Sequence, residues 1–473
     1  MIRVPSTQRN KRDMIPGLVG SSHGRPVDPR YSVASRSLTP RDLAVLAALF
    51  AVFWIATPFY VGASVSGQAM AERVSELGSI LNETDAGSPV RRAAVLVLGM
   101  GGAMSLLRSR ARALHWGSAR GWALFGFGLL AVLSPAWSLN PVFTLQKAAG
   151  FVMLVLAAVA LAERWDLDSL VRVATALVAA EVFAGILAEL AYGTLRPFAA
   201  TYRFRGVTHP NTMGTACAVL AVGALSLAAR THRWRAVYWG LAGFATVMLA
   251  LTKSRGALAG FLVALTFLVI AHVRLRGRLV LACAVAAAAV AAAILVPESL
   301  AHVPSALALG RQDVAQSPTL SGRIGIWRVV LAFVSQRPWL GFGYQSFWTS
   351  THILDVAQPL QWYAGSAHSG YLECLLSLGT VGLSVLLMSL LAGLSHSWSL
   401  QDEVRGPGAL FSLLMLSCLL TNMLTEIVVF DRSIPSFLCM ILLVRLGFGR
   451  ETLASPRYRD APPKHTACSA ADL

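Results

Sequence analysis

Long apolar runs alternate with short polar connections along almost the whole chain. Most runs approach the roughly 20 apolar residues that a helix needs to cross a bilayer. Twelve runs can be counted, plus or minus one, at about 43–62, 93–107, 121–137, 142–162, 169–190, 211–229, 236–252, 257–273, 279–296, 369–395, 408–428 and 433–448. This pattern predicts an all-α integral membrane protein with about twelve transmembrane helices.

Three segments fall outside this pattern. Residues 1–40 are rich in Arg, Ser and Pro, which predicts a disordered cytoplasmic tail, and residues 449–473 form a second polar tail after the membrane domain at 41–448. The connection at 297–367 is too long to be a simple loop, so we expect it to hold structure of its own.

One helix is predicted within the long connection. Ser321 can cap its first turn, Pro338 ends it, and the apolar residues between them recur at helical spacing. These apolar residues are Ile324, Trp327, Leu331 and Val334. The helix is therefore amphipathic, and either lies on the membrane face or plugs the helix bundle.

Composition and charge support a membrane protein. Hydrophobic residues make up 55% of the chain and charged residues only 13%, and the formal net charge is +17. The arginines fall in short clusters between apolar runs, which is typical of cytoplasmic loops and not of a nucleic-acid-binding surface. The charge pattern predicts a bacterial inner-membrane protein with both termini in the cytoplasm and the 297–367 connection in the periplasm.

Four polar motifs fall on the predicted periplasmic side. They span residues 203–211, 253–256, 321–348 and 367–379. Each alone has an ordinary explanation, since an arginine at a helix end usually reaches the headgroups and a lone histidine is usually just hydrogen-bonded. Arginines kept together on that side, however, run against the usual charge bias and indicate an anionic ligand.

The motifs resemble those of the O-antigen ligase and polymerase superfamily, especially its exopolysaccharide-production polymerase branch. The third motif matches at Gly322-Arg323, Trp327, Arg337-Pro338, Gly341-Phe342-Gly343 and Phe347-Trp348. The other motifs match at Gly206 through Asn211, at Ser254-Arg255-Gly256, and at His368 with Gly379. The likeness covers about residues 120–448. Ser369 departs from the family's usual Asn after the histidine.

The resemblance implies a glycosyltransferase of GT-C-like architecture. Arg255 and Arg323 would hold the diphosphate of an undecaprenyl-linked glycan donor, with Arg205 as a third cation, and His368 would position or activate the acceptor hydroxyl. Glu426 matches a family acid. Further supporting positions are His209, Asn211, Trp327, Arg337 and Glu373, and the aromatic residues Trp339, Trp348, Trp362 and Tyr363 either stack on sugars or form an interfacial belt.

No cofactor is expected. The outer loops hold no DxD or paired-carboxylate motif, so we predict metal-independent transfer by direct displacement with inversion at the anomeric carbon. The implied partners are the lipid-linked donor, a glycan or lipid acceptor, membrane lipid, and flippase and chain-length or export proteins.

Three functions remain open at this point. The polymerase is favoured over a ligase by the third motif. A transporter or flippase for an anionic lipid would place polar, broken helices near the membrane centre in two matching halves, and no internal repeat is visible. A non-catalytic assembly partner would not need the arginines and the histidine.

Overall fold

The computed structural model describes residues 39–56, 89–109, 114, 118–199, 201–272, 323–360, 363–403 and 406–449. In chain order the helices are α1 (Pro40–Ala56), α2 (Pro89–Arg108), α3 (Ala119–Leu133, followed by a 3-10 turn at Ser134–Ala136), α4 (Pro141–Arg164), α5 (Leu167–Ala191), α6 (Pro210–Arg230), α7 (Arg235–Thr252), α8 (Arg255–His272), α9 (Arg323–Val334), α10 (Ser350–Leu360), α11 (Gly370–Glu403), α12 (Pro407–Asn422) and α13 (Ile434–Phe448). Apart from one isolated β-bridge between Leu114 and Gly449, the regular structure of these residues is helical. The predicted all-α membrane fold is confirmed.

The helices follow the predicted apolar runs. Six of them, α2, α4, α5, α6, α7 and α11, are long and apolar enough to cross a membrane, and α3, α8, α12 and α13 are shorter apolar helices. Helix α1 coincides with the first predicted run. The run at 279–296, residues 297–322 and nearly all of both tails lie outside the described residues, so the count of about twelve spans stays a prediction.

Local chemistry sets where several helices begin. The side chain of Asn140 accepts the Phe143 N–H at 3.2 Å, and that of Asp166 accepts the Ser169 N–H at 2.7 Å. Pro141 follows Asn140, and its missing N–H is no loss at a first helical position. The caps satisfy N–H groups that would otherwise have no partner in the first turn.

Helices α6 and α12 form the centre of the bundle and are buried on nearly all sides. Small residues allow this close packing. A Cβ on Gly223 would lie 2.5 Å from Thr175 Oγ1 of α5, and one on Gly214 would lie 2.6 Å from Ser254 Cβ. The start of α6 is therefore pressed against the turn that begins α8.

The long connection has its own hydrophobic core, as expected. Its buried residues are Ile326, Val330, Val334, Phe342, Phe347, Trp348, Ile353, Val356, Ala364, Ala367 and Leu376. The predicted helix exists as α9, and its predicted apolar face is right at Val334, which is buried with Ile326 and Val330, but wrong at Leu331, which is 50% exposed. Because α9 packs against both α10 and α11, its buried face is turned away from Leu331.

Helix α11 is broken at Gly379, where φ is 65° and ψ is −164°. The break is filled by the Gly-Phe-Gly segment of the third motif: Phe342 N–H donates to the Leu376 carbonyl at 2.7 Å. A Cβ on Gly379 would lie 2.2 Å from the Trp339 carbonyl oxygen, and one on Gly341 would lie 2.6 Å from that of Leu376. These two glycines therefore allow the backbone of the third motif to approach the backbone of α11 closely.

Candidate active site

Glu426 joins two of the four motifs through one carboxylate oxygen. It lies in the connection after α12, and its Oε1 accepts Asn211 Nδ2 at 2.7 Å and Arg323 Nη2 at 2.5 Å. The side chains of Arg323 and Glu426 are each 15% exposed. Charged hydrogen bonds are strong in such partly desolvated surroundings. The pair fixes the direction of the arginine.

Arg203 extends this network to the end of α7. Its Nη2 donates to Asn211 Oδ1 at 2.9 Å and its Nε donates to the Thr252 carbonyl at 3.0 Å. His209 caps α6, since its Nδ1 accepts the Asn211 N–H at 3.2 Å. The first motif is therefore built into the same network as Arg323.

The second motif is held against the connection that carries Glu426. Arg255 begins α8, and a Cβ on the next residue, Gly256, would lie 1.9 Å from Thr425 Oγ1 and 2.9 Å from Asn422 Oδ1. Only a glycine permits this approach. The half-buried Arg255 is thereby brought beside the Glu426 segment.

His368 is presented by a clamped, left-handed backbone with φ of 47°. On its N-terminal side, Ala367 N–H donates to Glu373 Oε2 at 3.2 Å, and the Ala367 carbonyl accepts Trp327 Nε1 at 3.1 Å. On its C-terminal side, Gly370 N–H lies 2.8 Å from the Met423 carbonyl and 3.0 Å from that of Glu426. A strained residue held on both sides is typical of a functional position.

Residues 240–387 match the family described as O-Antigen ligase. The match supports the resemblance to the O-antigen ligase and polymerase superfamily noted from the sequence motifs. The matched stretch runs from within α7 into α11 and contains Arg255, Arg323 and His368. No curated protein matches the chain. The match indicates a multi-pass membrane enzyme in surface polysaccharide assembly.

The electrostatics of the O-antigen ligase-like site keep its histidine neutral. Burial lowers the pKa of His368 to about 3, and the nearby Arg323 and His209 act in the same direction. This value lies well below the ordinary pKa of an imidazole, which is near 6.5. Burial also raises the pKa of Glu426, whereas Arg323 and the Asn211 hydrogen bond oppose that rise.

Other predicted positions in the O-antigen ligase-like segment hold the fold. Arg337 Nη1 donates to the Trp137 carbonyl at 3.0 Å and its guanidinium lies 5.5 Å from the Phe342 ring centre, so these contacts tie it to the connection between α3 and α4. Trp348 is 6% exposed and its Nε1 donates to Glu373, so it is not available for sugar stacking. Trp339 is 70% exposed, and Trp362 lies outside the described residues.

Two residues of the site were not singled out from the sequence. Arg203 lies in the first motif but was not given a role. Glu189, a carboxylate inside an apolar run, is 2% exposed and its Oε1 accepts the N–H groups of Arg205 and Gly206, each at 2.9 Å. An acidic residue within a predicted span is the signal that points to it.

Arg205 is a further cation of the first motif. Among the described residues, its guanidinium makes no hydrogen bond and no ion pair. No group of three or more His, Cys, Asp or Glu side chains in the described part of the chain is placed to hold a metal ion. Metal independence itself stays a prediction.

Proposed function

We propose that the chain is a metal-independent, inverting glycosyltransferase that polymerises undecaprenyl-diphosphate-linked repeat units at the periplasmic face of the inner membrane. The observation that carries this proposal is the cluster at one end of the bundle, in which Glu426 holds Arg323 beside His368. The O-antigen ligase match supports a lipid-linked glycan as substrate.

Arginines bind the donor diphosphate in this proposal. A guanidinium has five N–H donors, and Glu426 accepts from only one nitrogen of Arg323, so the others can bind phosphate oxygens in the same plane. Arg255 and Arg205 supply further positive charge. Together they neutralise the diphosphate in the bound state and as it leaves.

His368 accepts the acceptor's proton. The acceptor oxygen forms a bond to the anomeric carbon, the bond from that carbon to the diphosphate oxygen breaks, and undecaprenyl diphosphate leaves with the bonding electrons. The proton passes from the hydroxyl to the neutral imidazole of His368. Because its pKa is low, His368 is a weak base that takes the proton only when the new C–O bond is well advanced.

A flippase is the second candidate, because α11 is broken at Gly379 and transporters use broken helices at their substrate sites. The gap is, however, filled by the chain itself: Phe342 and Gly343 donate their N–H groups to the carbonyls of Leu376 and Ser377. The arginine and histidine cluster lies instead where α6, α8, α9 and α11 begin. This placement favours chemistry at a helix end over passage through the bundle.

Deletion of the gene, followed by analysis of lipid-linked and surface glycan, separates these functions. A polymerase predicts accumulation of single undecaprenyl-linked repeat units that an enzyme added to the periplasm can cleave. A ligase predicts full-length lipid-linked chains with no polymer on the surface. Repeat units that stay inaccessible from the periplasm would indicate a flippase and contradict the proposal.

A further inference from the structure

A polar pocket is lined in part by the connection that carries Glu426. It is bounded by α1, α4, the segment at 344–345 and the start of α13. Its polar lining residues are Lys147, Tyr344, Gln345, Asp431, Arg432, Ser433 and Ser436. None of the residues assigned to donor or acceptor binding above lines this pocket.

The pocket is positively charged. Lys147 and Arg432 line it, and the charges of Arg91 and Arg92 at the start of α2 act on Arg432. The facing acid, Asp431, accepts the Arg432 backbone N–H at 2.8 Å but forms no ion pair with the Arg432 side chain. Among the described residues, two cations and one carboxylate therefore line the pocket, and a positive balance of this kind favours an anion.

Arg432 has unused binding capacity. Its side chain is half-buried, yet within the described residues its guanidinium makes no hydrogen bond and no ion pair. Burial lowers the pKa of Arg432, and the charges of Arg91 and Arg92 act in the same direction. A half-buried guanidinium without an acceptor is costly, and a bound anion would remove that cost.

The remaining walls of the pocket are apolar. They are formed by Phe53, Phe151, Leu154, Val429, Phe430, Phe437 and Met440. On α4 the order along the helix is Lys147, then Phe151 and Leu154, so the apolar wall continues from the charged end toward the middle of the span. On α13, Phe437 and Met440 follow Ser436 in the same way. This order matches a ligand that has a charged headgroup and an apolar tail.

We propose that this pocket is a second binding site for a phosphate headgroup carried on an apolar chain. Two membrane components have this chemistry, polyprenyl diphosphates and phosphatidylglycerol. Arg432 and Lys147 bind the phosphate oxygens, and the aromatic walls contact the first carbons of the chain.

The two sites share one short connection. Glu426 and Arg432 are six positions apart between α12 and α13, and the charge of Asp431 acts on Glu426. If the occupant is a polyprenyl diphosphate, an assignment that rests on the proposed function, it carries the acceptor glycan. The acceptor hydroxyl then forms the bond to the anomeric carbon, the bond to the first diphosphate breaks, and the proton passes to His368.

Counting bound lipids tests the site. The full-length protein in phosphatidylcholine nanodiscs is titrated with undecaprenyl diphosphate, with dioleoyl phosphatidylglycerol and with inorganic pyrophosphate, and native mass spectrometry reports the number bound. The wild type should bind two undecaprenyl diphosphates. Lys147→Gln combined with Arg432→Gln should weaken the second by about 10- to 100-fold, as expected for lost charged hydrogen bonds.

Two further variants separate the possible failures. Arg323→Gln should lose the first undecaprenyl diphosphate and keep the second, and Arg196→Gln, a matched control at an exposed arginine of the 192–199 connection, should keep both. If the double variant is poorly produced, Lys147→Gln alone should weaken the second lipid. If Arg323→Gln loses one undecaprenyl diphosphate while the Lys147 and Arg432 variants still bind two, this inference is overturned but the proposed function stands.

The titrations with the two lipids identify the occupant of the pocket. Selective loss of undecaprenyl diphosphate in the double variant supports the acceptor assignment. Selective loss of phosphatidylglycerol supports the phosphate-headgroup site but overturns the acceptor assignment. Binding of both lipids at wild-type strength by the double variant, at wild-type thermal stability, would overturn the site.

Discussion

Replacing Arg323 by lysine separates a donor-binding arginine from an arginine that only anchors the bundle. Lysine keeps the positive charge but loses the planar fork of donors. In the structure one Arg323 nitrogen already donates to Glu426, and the others make no hydrogen bond within the described residues. A single ammonium group cannot hold both Glu426 and a diphosphate in this geometry, so one of the two contacts is lost.

The size of the effect follows from the burial of the pair. The side chains of Arg323 and Glu426 are 15% exposed, so the contact is only weakly screened by solvent. Loss of one charged hydrogen bond to the leaving diphosphate should cost about 2 to 4 kcal/mol, which is roughly 30- to 1000-fold in rate. The fold should suffer less, because Asn211 still donates to Glu426.

The assay uses the lipid-linked repeat units that accumulate in the deletion strain as donors for the purified enzyme in proteoliposomes. Arg328→Lys is the matched control, since Arg328 is exposed on the same helix and should tolerate the change. Glu426→Gln tests the pair. If the two residues act as a unit, the variant that combines Arg323→Lys with Glu426→Gln should be no slower than the slower of the two single variants. Normal polymerisation by Arg323→Lys at wild-type protein level would refute the donor assignment.

Five other outcomes are expected. His368→Ala should abolish transfer, His368→Gln should be nearly as inactive if the residue takes a proton, and normal glycan from both variants would remove it from the site. Since burial lowers the pKa of His368 to about 3, its neutral form persists as pH falls, and initial rates from pH 8 to 5 should show no decline near 6.5 that depends on this residue. Excess chelator should leave turnover intact, and recovery on added magnesium or manganese after a loss would contradict that. Thr351→Cys should be labelled by a membrane-impermeant reagent in intact cells. Gly379→Ala should lower the free energy of unfolding by about 1 to 3 kcal/mol. Gly240→Ala is the control and should not lower it, because a Cβ there meets open space.

The linear pattern of apolar residues was sufficient for the fold class and for most helix positions. A hydrocarbon layer can accept only segments whose backbone hydrogen bonds are satisfied internally, so a run of about 20 apolar residues leaves few alternatives to a helix. Eleven of the twelve predicted runs coincide with a helix. The side of the membrane on which the motifs lie rests on the arginine distribution and stays a prediction.

The partners of each polar side chain could not be predicted from the sequence.

 Arg323 and Glu426 are 103 positions apart and Asn211 and Glu426 are 215 apart, and such contacts depend on how α6, α9 and α12 pack. Leu331 on α9 was predicted on the apolar face but is exposed, because the neighbouring helices decide which side of α9 is buried and the periodicity of its own residues does not.

The sequence by itself determined the membrane fold, the helix positions and the residue types available for binding an anion, because these depend on composition and local spacing. Only the tertiary structure decided which polar residues lie together and which hold the surrounding backbone in place. Trp327 and Glu373 hold the backbone around His368, and the Gly341 and Gly379 segments close a broken helix. The pKa of His368 was likewise set by burial and by neighbouring charges, which exist only once distant segments of the chain are brought together.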